Sequence, residues 1–256
     1  MEGKEILLYL SIKYKGNWEA IYNAINQKEK LSENEVKILN STIKSKYVTI
    51  LDKEYPEYLK SIFRPPFVLF YYGNLSLLHD FQKNISCVGS RNASNYGKNI
   101  TKDIVSKLVP KYNIVSGMAI GIDTVSHQTA IENNGKTIAV LGSGIDYVYP
   151  KQNQILYDQI KSNHLVVSEY PGNEAPLKEN FLLRNRLVAA FCNTLIVTEA
   201  YVHSGTLSTV SNALTMGRDV CCVPYPANLN SACNSLIKEG ARLVECAKDV
   251  DESCVF

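Results

Sequence analysis

No uninterrupted apolar run approaches the roughly 18 residues that a membrane-crossing helix needs, so no membrane span is expected. The N-terminus, MEGKEILLYLSIKYKG, carries a short apolar patch without a small-residue cleavage site. It reads as a first amphipathic helix and not as a secretory signal. The seven cysteines (Cys87, Cys192, Cys221, Cys222, Cys233, Cys246 and Cys254) include no C-x-x-C pair. Most sit inside apolar runs such as VCCVP, where cysteine behaves as a small buried hydrophobe. Their odd number and scatter favour a reducing cytoplasm over a disulfide framework. The four histidines do not fall at zinc-ligand spacing, so neither a metal nor a cofactor is expected. No low-complexity tract or repeat of about 20–50 residues points to a solenoid. An excess of one charge is missing too: 27 Lys and Arg against 25 Asp and Glu leave only +2. That excludes a general electrostatic coat, so any nucleic-acid site must be a local cluster.

What is present is an ordinary globular composition, 45% apolar and 20% charged over 256 residues. Such a chain buries one substantial core, with room for a small appendage. Residues 1–45 are polar and helical in pattern, as in NWEAIYNAINQ and SENEVKILNST. Ser32 followed three residues later by Glu35 is a capping-box signature for a short helix. This piece is too small to stand alone and must dock on the rest. Two β-rich runs follow, VTILD and FVLFYYGN, separated by a segment containing Arg64-Pro65-Pro66. DKEYPEY between them reads as a turn into a short helix.

From Ile85 to about Val244, strand and helix patterns alternate. The strands ISCVG, NIVSG, TIAVLG, LVVSEY, TLIVTEA, DVCCVP and ARLVE are short continuous apolar runs, as strands covered on both faces should be. Between most of them lie helical patterns such as NITKDIVSKLV, DTVSHQTAIENN and LLRNRLVAAF. The expected fold class is α/β, a mainly parallel sheet with helices on both faces, over residues 46–250.

Ligands of such sheets bind outside the carboxyl ends of the strands. There the sequence places Gly89-Ser90-Arg91, whose glycine permits a tight turn and whose arginine presents a fork matched to phosphate. Alone, the triplet reads as well as a surface turn. Ser116-Gly117 opens a second loop, running to Gly121 and Asp123, in which Asp123 can cap the next helix. It lacks the lysine of a P-loop and is not G-x-G-x-x-G. His127, one turn into that helix, reads as a hydrogen-bonding anchor for the loop, with a general base as the alternative. Lys178, Phe181, Arg184 and Arg186 gather three cations and an aromatic at the start of a helix, suited to phosphates and a stacked base. The bland reading puts Phe181 in the core and the arginines in ion pairs. Ser204-Gly205-Thr206 precedes an apolar helix, as an anion-binding helix start does. Glu169 and Glu199 can act as general acid and base, but no nucleophile accompanies them, and carboxylates bonded to amides or arginines fit better.

Read together, VGSR (88–91), YG (96–97), SGMAIGID with His127, GKTIAVLGSGIDYVYP (135–150), SEYP (168–171), FLLRNR (181–186), TEA (198–200), SGT (204–206) and CNSLIKEGA (233–241) resemble the DprA/Smf family of DNA-processing proteins. The resemblance covers roughly residues 47–244. It implies a Rossmann-like fold, a homodimer, binding and protection of single-stranded DNA, and loading of the RecA recombinase in natural transformation, with no established catalytic reaction. It implies that Arg91 holds phosphate, helped by the Ser116-Gly117 and Ser204-Gly205-Thr206 loops. Lys178 is implied as a phosphate contact and Phe181 as a base-stacking face, while Arg184 and Arg186 support the pocket or touch phosphate. Departures stand out as well. Ile120 occupies a position where many relatives are basic, and Pro224-Tyr225-Pro226 replaces the usual Pro-Gly. The helical N-terminus is short beside a full sterile-alpha-like domain, and no C-terminal winged helix is expected. The alternative is an enzyme cleaving or modifying a nucleoside phosphate on a related fold, but such enzymes typically show a P-G-G-x-G-T run, and here Ser204-Gly205-Thr206 stands without the preceding P-G-G.

Overall fold

The computed structural model describes residues 1–251. Three helices open the chain: α1 (Gly3–Lys13), α2 (Trp18–Asn26) and α3 (Glu33–Asn40). Asn17 caps α2 by accepting from the Ala20 amide at 2.9 Å. The capping box expected at Ser32 does not form, because the Ser32 side chain makes no capping bond. Glu33 and Glu35 in the first turn of α3 instead complement its dipole. The helices share a small core of Tyr9, Leu10, Ile21, Ala24 and Val36. Leu7 and Leu8 of α1 continue into a second core with Val68, Phe70, Ile160 and Val166 of the sheet layer. α1 thus docks on the sheet, and α2 adds to the contact, since Trp18 donates to the Pro65 carbonyl at 2.8 Å and stacks on Phe67.

Strands β1 (Lys46–Thr49) and β2 (Val68–Gly73) pair antiparallel. β1 stops at Thr49, two residues into the VTILD run, because the Asp52 carboxylate accepts from the Thr49 amide at 2.8 Å and hydroxyl at 2.7 Å and turns the chain. The remainder alternates: β3 (Asn84–Gly89), α4 (Asn95–Leu108), β4 (Asn113–Ser116), α5 (Ile122–Glu132), β5 (Thr137–Val140), α6 (Gln154–Asn163), β6 (Leu165–Ser168), α7 (Lys178–Ala190), β7 (Thr194–Glu199), α8 (Thr206–Thr215), β8 (Asp219–Cys222), α9 (Ala232–Lys238), β9 (Arg242–Leu243) and α10 (Ala247–Asp251). The sequence pattern had not suggested α10.

The nine strands form one sheet in the order β1-β2-β6-β5-β4-β3-β7-β8-β9. From β6 to β9 every pairing is parallel, and β2 joins β6 antiparallel. The architecture is Rossmann-like α/β. The chain winds from β3 out to β6, then returns to the other side of β3 and winds out to β9. Crossovers on the two sides leave by opposite faces, which opens a crevice at the carboxyl ends of β3 and β7.

Both faces of the sheet are covered, which explains the continuous apolar strands. Val88 of β3 packs with Leu187 and Val188 of α7 and with Val210 and Ala213 of α8. Its neighbours in the strand point the other way: Ile85 meets Ile104 and Leu108 of α4, and Cys87 meets Val105 and Ile122. Cys87, Cys192, Cys221, Cys222 and Cys233 are buried free thiols, and Cys246 is half-buried. Cys254 lies outside the described residues. Among the described residues, no helix is long and apolar enough to cross a membrane, and no group of three or more His, Cys, Asp or Glu is placed to hold a metal ion.

Candidate functional site

A cavity of about 710 Å³ occupies the crevice at the carboxyl ends of β3, β4 and β7. Its walls come from the end of β3 and the loop after it (Gly89, Ser90, Arg91, Asn92), the loop after β4 (Gly117, Ala119) with Asp123 of α5, the start of α7, and the loop into α8 with its first residue (Ser204, Gly205, Thr206). Gly121 has φ +85°, and a Cβ there would collide with the Ser90 carbonyl oxygen. Only glycine lets the two loops lie this close. The Thr206 hydroxyl donates to the Gly89 carbonyl at 3.2 Å, tying the third loop to the first.

The α7 residues in the wall are spaced as one face of a helix: Lys178, Phe181, Asn185 and Val188, with Leu182 and Arg184 beside them. The Phe181 ring is half-buried and surrounded by cationic and aromatic groups. The Arg91 guanidinium lies 5.7 Å and that of Arg184 6.0 Å from its centroid. The Tyr149 ring is tilted against it at 5.7 Å. Arg91 and Lys178 are exposed, and among the described residues neither forms an ion pair. Free cations beside an aromatic face are the arrangement that single-stranded nucleic acid exploits.

The floor holds two buried charges that do not touch. Arg184 is 6% exposed and donates to the Val140 carbonyl, and Asp123 is 8% exposed and accepts from the Ala119 amide at 3.3 Å. A Cβ on Gly117 would strike Asp123 Oδ2 and both terminal nitrogens of Arg184, so glycine is what fits between them. Burial raises the Asp123 carboxyl above its ordinary range, against the pull of Arg184. It likewise lowers the Arg184 guanidinium, which Asp123 only partly offsets. With Arg91 and Lys178, three cations face one carboxylate, so the cavity is electropositive. The buried Ser204 Oγ has no hydrogen-bond partner among the described residues.

Of the residues singled out in the sequence, Gly89, Ser90, Arg91, Gly117, Lys178, Phe181, Arg184, Ser204, Gly205 and Thr206 all line this cavity. Two of those read as DNA contacts do not reach it. Ser116 is the last residue of β4, wholly buried, and its hydroxyl donates to the Cys87 carbonyl at 2.7 Å. Arg186 lies two residues beyond Arg184, hence on the far side of α7. There it is 1% exposed, forms a bidentate pair with Glu169 at 2.6 Å through each nitrogen, and donates to the Phe63 and Arg64 carbonyls. Glu199 is engaged too, accepting from the Ser94 amide at 3.0 Å and hydroxyl at 2.7 Å and from the Tyr225 hydroxyl at 3.0 Å.

Asp123 does not cap α5 as expected: Gly121 occupies the cap position and Asp123 lies inside the first turn. The loop-anchoring role read for His127 is what the geometry holds. Nε2 faces the Gly117 carbonyl at 2.5 Å and Nδ1 the Thr137 hydroxyl at 2.6 Å. Burial lowers its pKa to about 4, so the ring is neutral near pH 7. Tyr149 had not been singled out. It lines the cavity from the loop after β5, and its one legible signal was an aromatic in that loop.

Comparison with known proteins bears on this arrangement. The family model described as DNA recombination-mediator protein A matches residues 46–254. DNA processing protein DprA of Streptococcus pneumoniae is 46% identical over 204 residues, covering 79% of this chain and 72% of that one. DNA processing protein DprA of Bacillus subtilis is 38% identical over 208 residues, covering 80% and 70%. The X-ray structure of the pneumococcal protein superposes with a TM-score of 0.83 at 35% identity, over 100% of this chain and 99% of that chain. The N-terminal helices are thus included in the superposition. A structure of DNA processing protein A from Helicobacter pylori, described for its single-stranded DNA binding mode, gives 0.74 at 27% identity over 82% and 96%. From the fold, the extent of the family match and these identities, the chain belongs to the DprA/Smf family of DNA-processing proteins.

Proposed function

We propose that this chain binds single-stranded DNA in the cavity at the carboxyl ends of β3, β4 and β7. Arg91 and Lys178 hold phosphates, and Phe181 offers its ring to a base. Gly89, Ser90, Gly117, Gly205 and Thr206 shape the wall along which the strand lies, and the Ser204 hydroxyl, without a partner among the described residues, is left to donate to it. The observation that carries this is the meeting in a single cavity of Arg91, Lys178 and Arg184, none of them in an ion pair among the described residues, with the guanidinium groups of Arg91 and Arg184 set about one aromatic ring. The binding mode described for the Helicobacter pylori relative supports the same choice of ligand.

The reading is of a binding protein, not a catalyst. Its support is that Glu169 and Glu199, the carboxylates suited to acid–base work, are bonded to Arg186 and to Ser94 and Tyr225. Residues 46–250 are read as the unit that carries the activity, with residues 1–45 as its helical appendage. Protection of incoming strands, loading of RecA and action as a homodimer in natural transformation rest on family membership alone. Titrating single- and double-stranded oligonucleotides at two salt concentrations tests the central claim. Tighter binding of the single strand, weakening with salt, is expected. Equal affinity for both forms would count against it.

A further inference from the structure

Beyond the cavity, the carboxyl edge of the sheet carries a second group of aromatics that the proposed binding does not use. Tyr96 is 47% exposed and Tyr201 44%. The Tyr96 ring meets the half-buried Tyr225 edge-on at 5.0 Å. Their hydroxyls are tied inward. Tyr225 donates to Glu199 at 3.0 Å and Tyr96 to the Pro224 carbonyl at 3.2 Å, while the Tyr201 backbone is held by a bridge to Ser231. The Tyr96 and Tyr225 rings are therefore fixed at their polar ends, while Tyr96 and Tyr201 keep large areas open to solvent. Rigid, half-exposed tyrosines supply contact area at low entropic cost.

This group is continuous with the cavity along two loops. Arg91 and Asn92 line the cavity, and the same loop runs through Ser94, bonded to Glu199, into Tyr96 at the start of α4. On the other side, Tyr201 precedes cavity-lining Ser204 by three residues, at most about 10 Å of chain. We propose that Tyr96, Tyr201 and Tyr225 form a second stacking platform, on which a single strand leaving the cavity past Arg91 and Ser204 lays its next bases. The proposal rests on the reading of the cavity as a single-stranded DNA site. The platform contributes ring faces and not phosphate contacts. Stacking on aromatic faces is tolerant of sequence, so the platform lengthens the site without adding base preference.

The experiment compares oligothymidylates of about four and about twenty nucleotides against the full chain and its Tyr96→Ala, Tyr201→Ala and Arg91→Ala variants over a range of salt. Each tyrosine variant is expected to bind the long oligonucleotide between about fivefold and a hundredfold more weakly. The short one should bind as before, with the log–log salt slope unchanged. Tyr96→Phe, which keeps the ring, restores long-strand affinity. Equal loss on short and long strands would overturn the proposal, since the tyrosines would then act only by shaping the cavity. So would no loss on either strand. In that case Arg91→Ala decides what else falls: if it still weakens binding, the cavity reading stands without the platform, and if it does not, both are wrong.

Discussion

Replacing Arg91 with alanine is the perturbation whose size the structure fixes most directly. Arg91 and Lys178 line the cavity, exposed and without ion-pair partners among the described residues, so each is free to neutralise one phosphate. On single strands each phosphate contact adds about −0.7 to the slope of log affinity against log salt. Two contacts give about −1.4, and engagement of Arg184 on the floor would raise that to about −2.1. Arg91→Ala is therefore expected to flatten the slope by about 0.7. A hydrogen bond to a charged group is worth about 1.5–3 kcal/mol, so affinity falls roughly tenfold to 150-fold. The loss should be the same on every base sequence, because phosphate contacts carry no base information. Thermal stability should hardly move, since an exposed side chain outside any ion pair costs little to remove. Fluorescence anisotropy with labelled oligonucleotides between about 50 and 200 mM salt measures both quantities. Unchanged affinity together with an unchanged slope would refute the reasoning.

Three further outcomes are expected. Glu169→Gln leaves the buried Arg186 guanidinium without its counter-charge and should cost about 3–5 kcal/mol in urea unfolding. DNA affinity of the folded protein should be retained, because Arg186 is outside the cavity; a large loss of affinity at full stability would contradict that placement. His127 has a pKa lowered from 6.5 to about 4, so below pH 6.5 the unfolded chain takes up a proton that the native chain refuses. Stability should thus fall by up to about 3 kcal/mol between pH 6.5 and 4, and His127→Gln should remove that part of the pH profile in denaturant titrations. An identical pH profile in the variant would show that His127 does not carry it. Asp123→Asn removes the one carboxylate facing the cavity. A unit charge about 10 Å from a phosphate at an effective dielectric near 20 costs about 1.7 kcal/mol, so binding should tighten by roughly tenfold. Since burial raises the Asp123 pKa, wild-type affinity should also rise as pH falls toward it, and the asparagine variant should lose that dependence. Weaker binding by the variant would mean the carboxylate holds the loop more than it repels the strand.

Much of this molecule was readable one segment at a time. Short continuous apolar runs separated by helical patterns specify buried parallel strands, because period and hydrophobicity are local properties of the chain. Gly89-Ser90-Arg91 and Ser204-Gly205-Thr206 fell where such a sheet gathers its ligand loops. The fate of the two arginines was also legible in principle. Residues two apart on a helix face opposite ways, which sends Arg184 to the cavity and Arg186 to the Glu169 pair.

Other features required the assembled fold. Neither Tyr149 against Phe181 nor Glu199 beneath Ser94 and Tyr225 follows from spacing, since the partners come from separate crossovers. The unpaired charges of Asp123 and Arg184 are likewise a product of packing. The sequence by itself determined which elements form and which loops carry donors for an anion. The tertiary structure decided which side chains reach the same cavity, because the strand order β4-β3-β7 alone brings loops distant in sequence to one crevice.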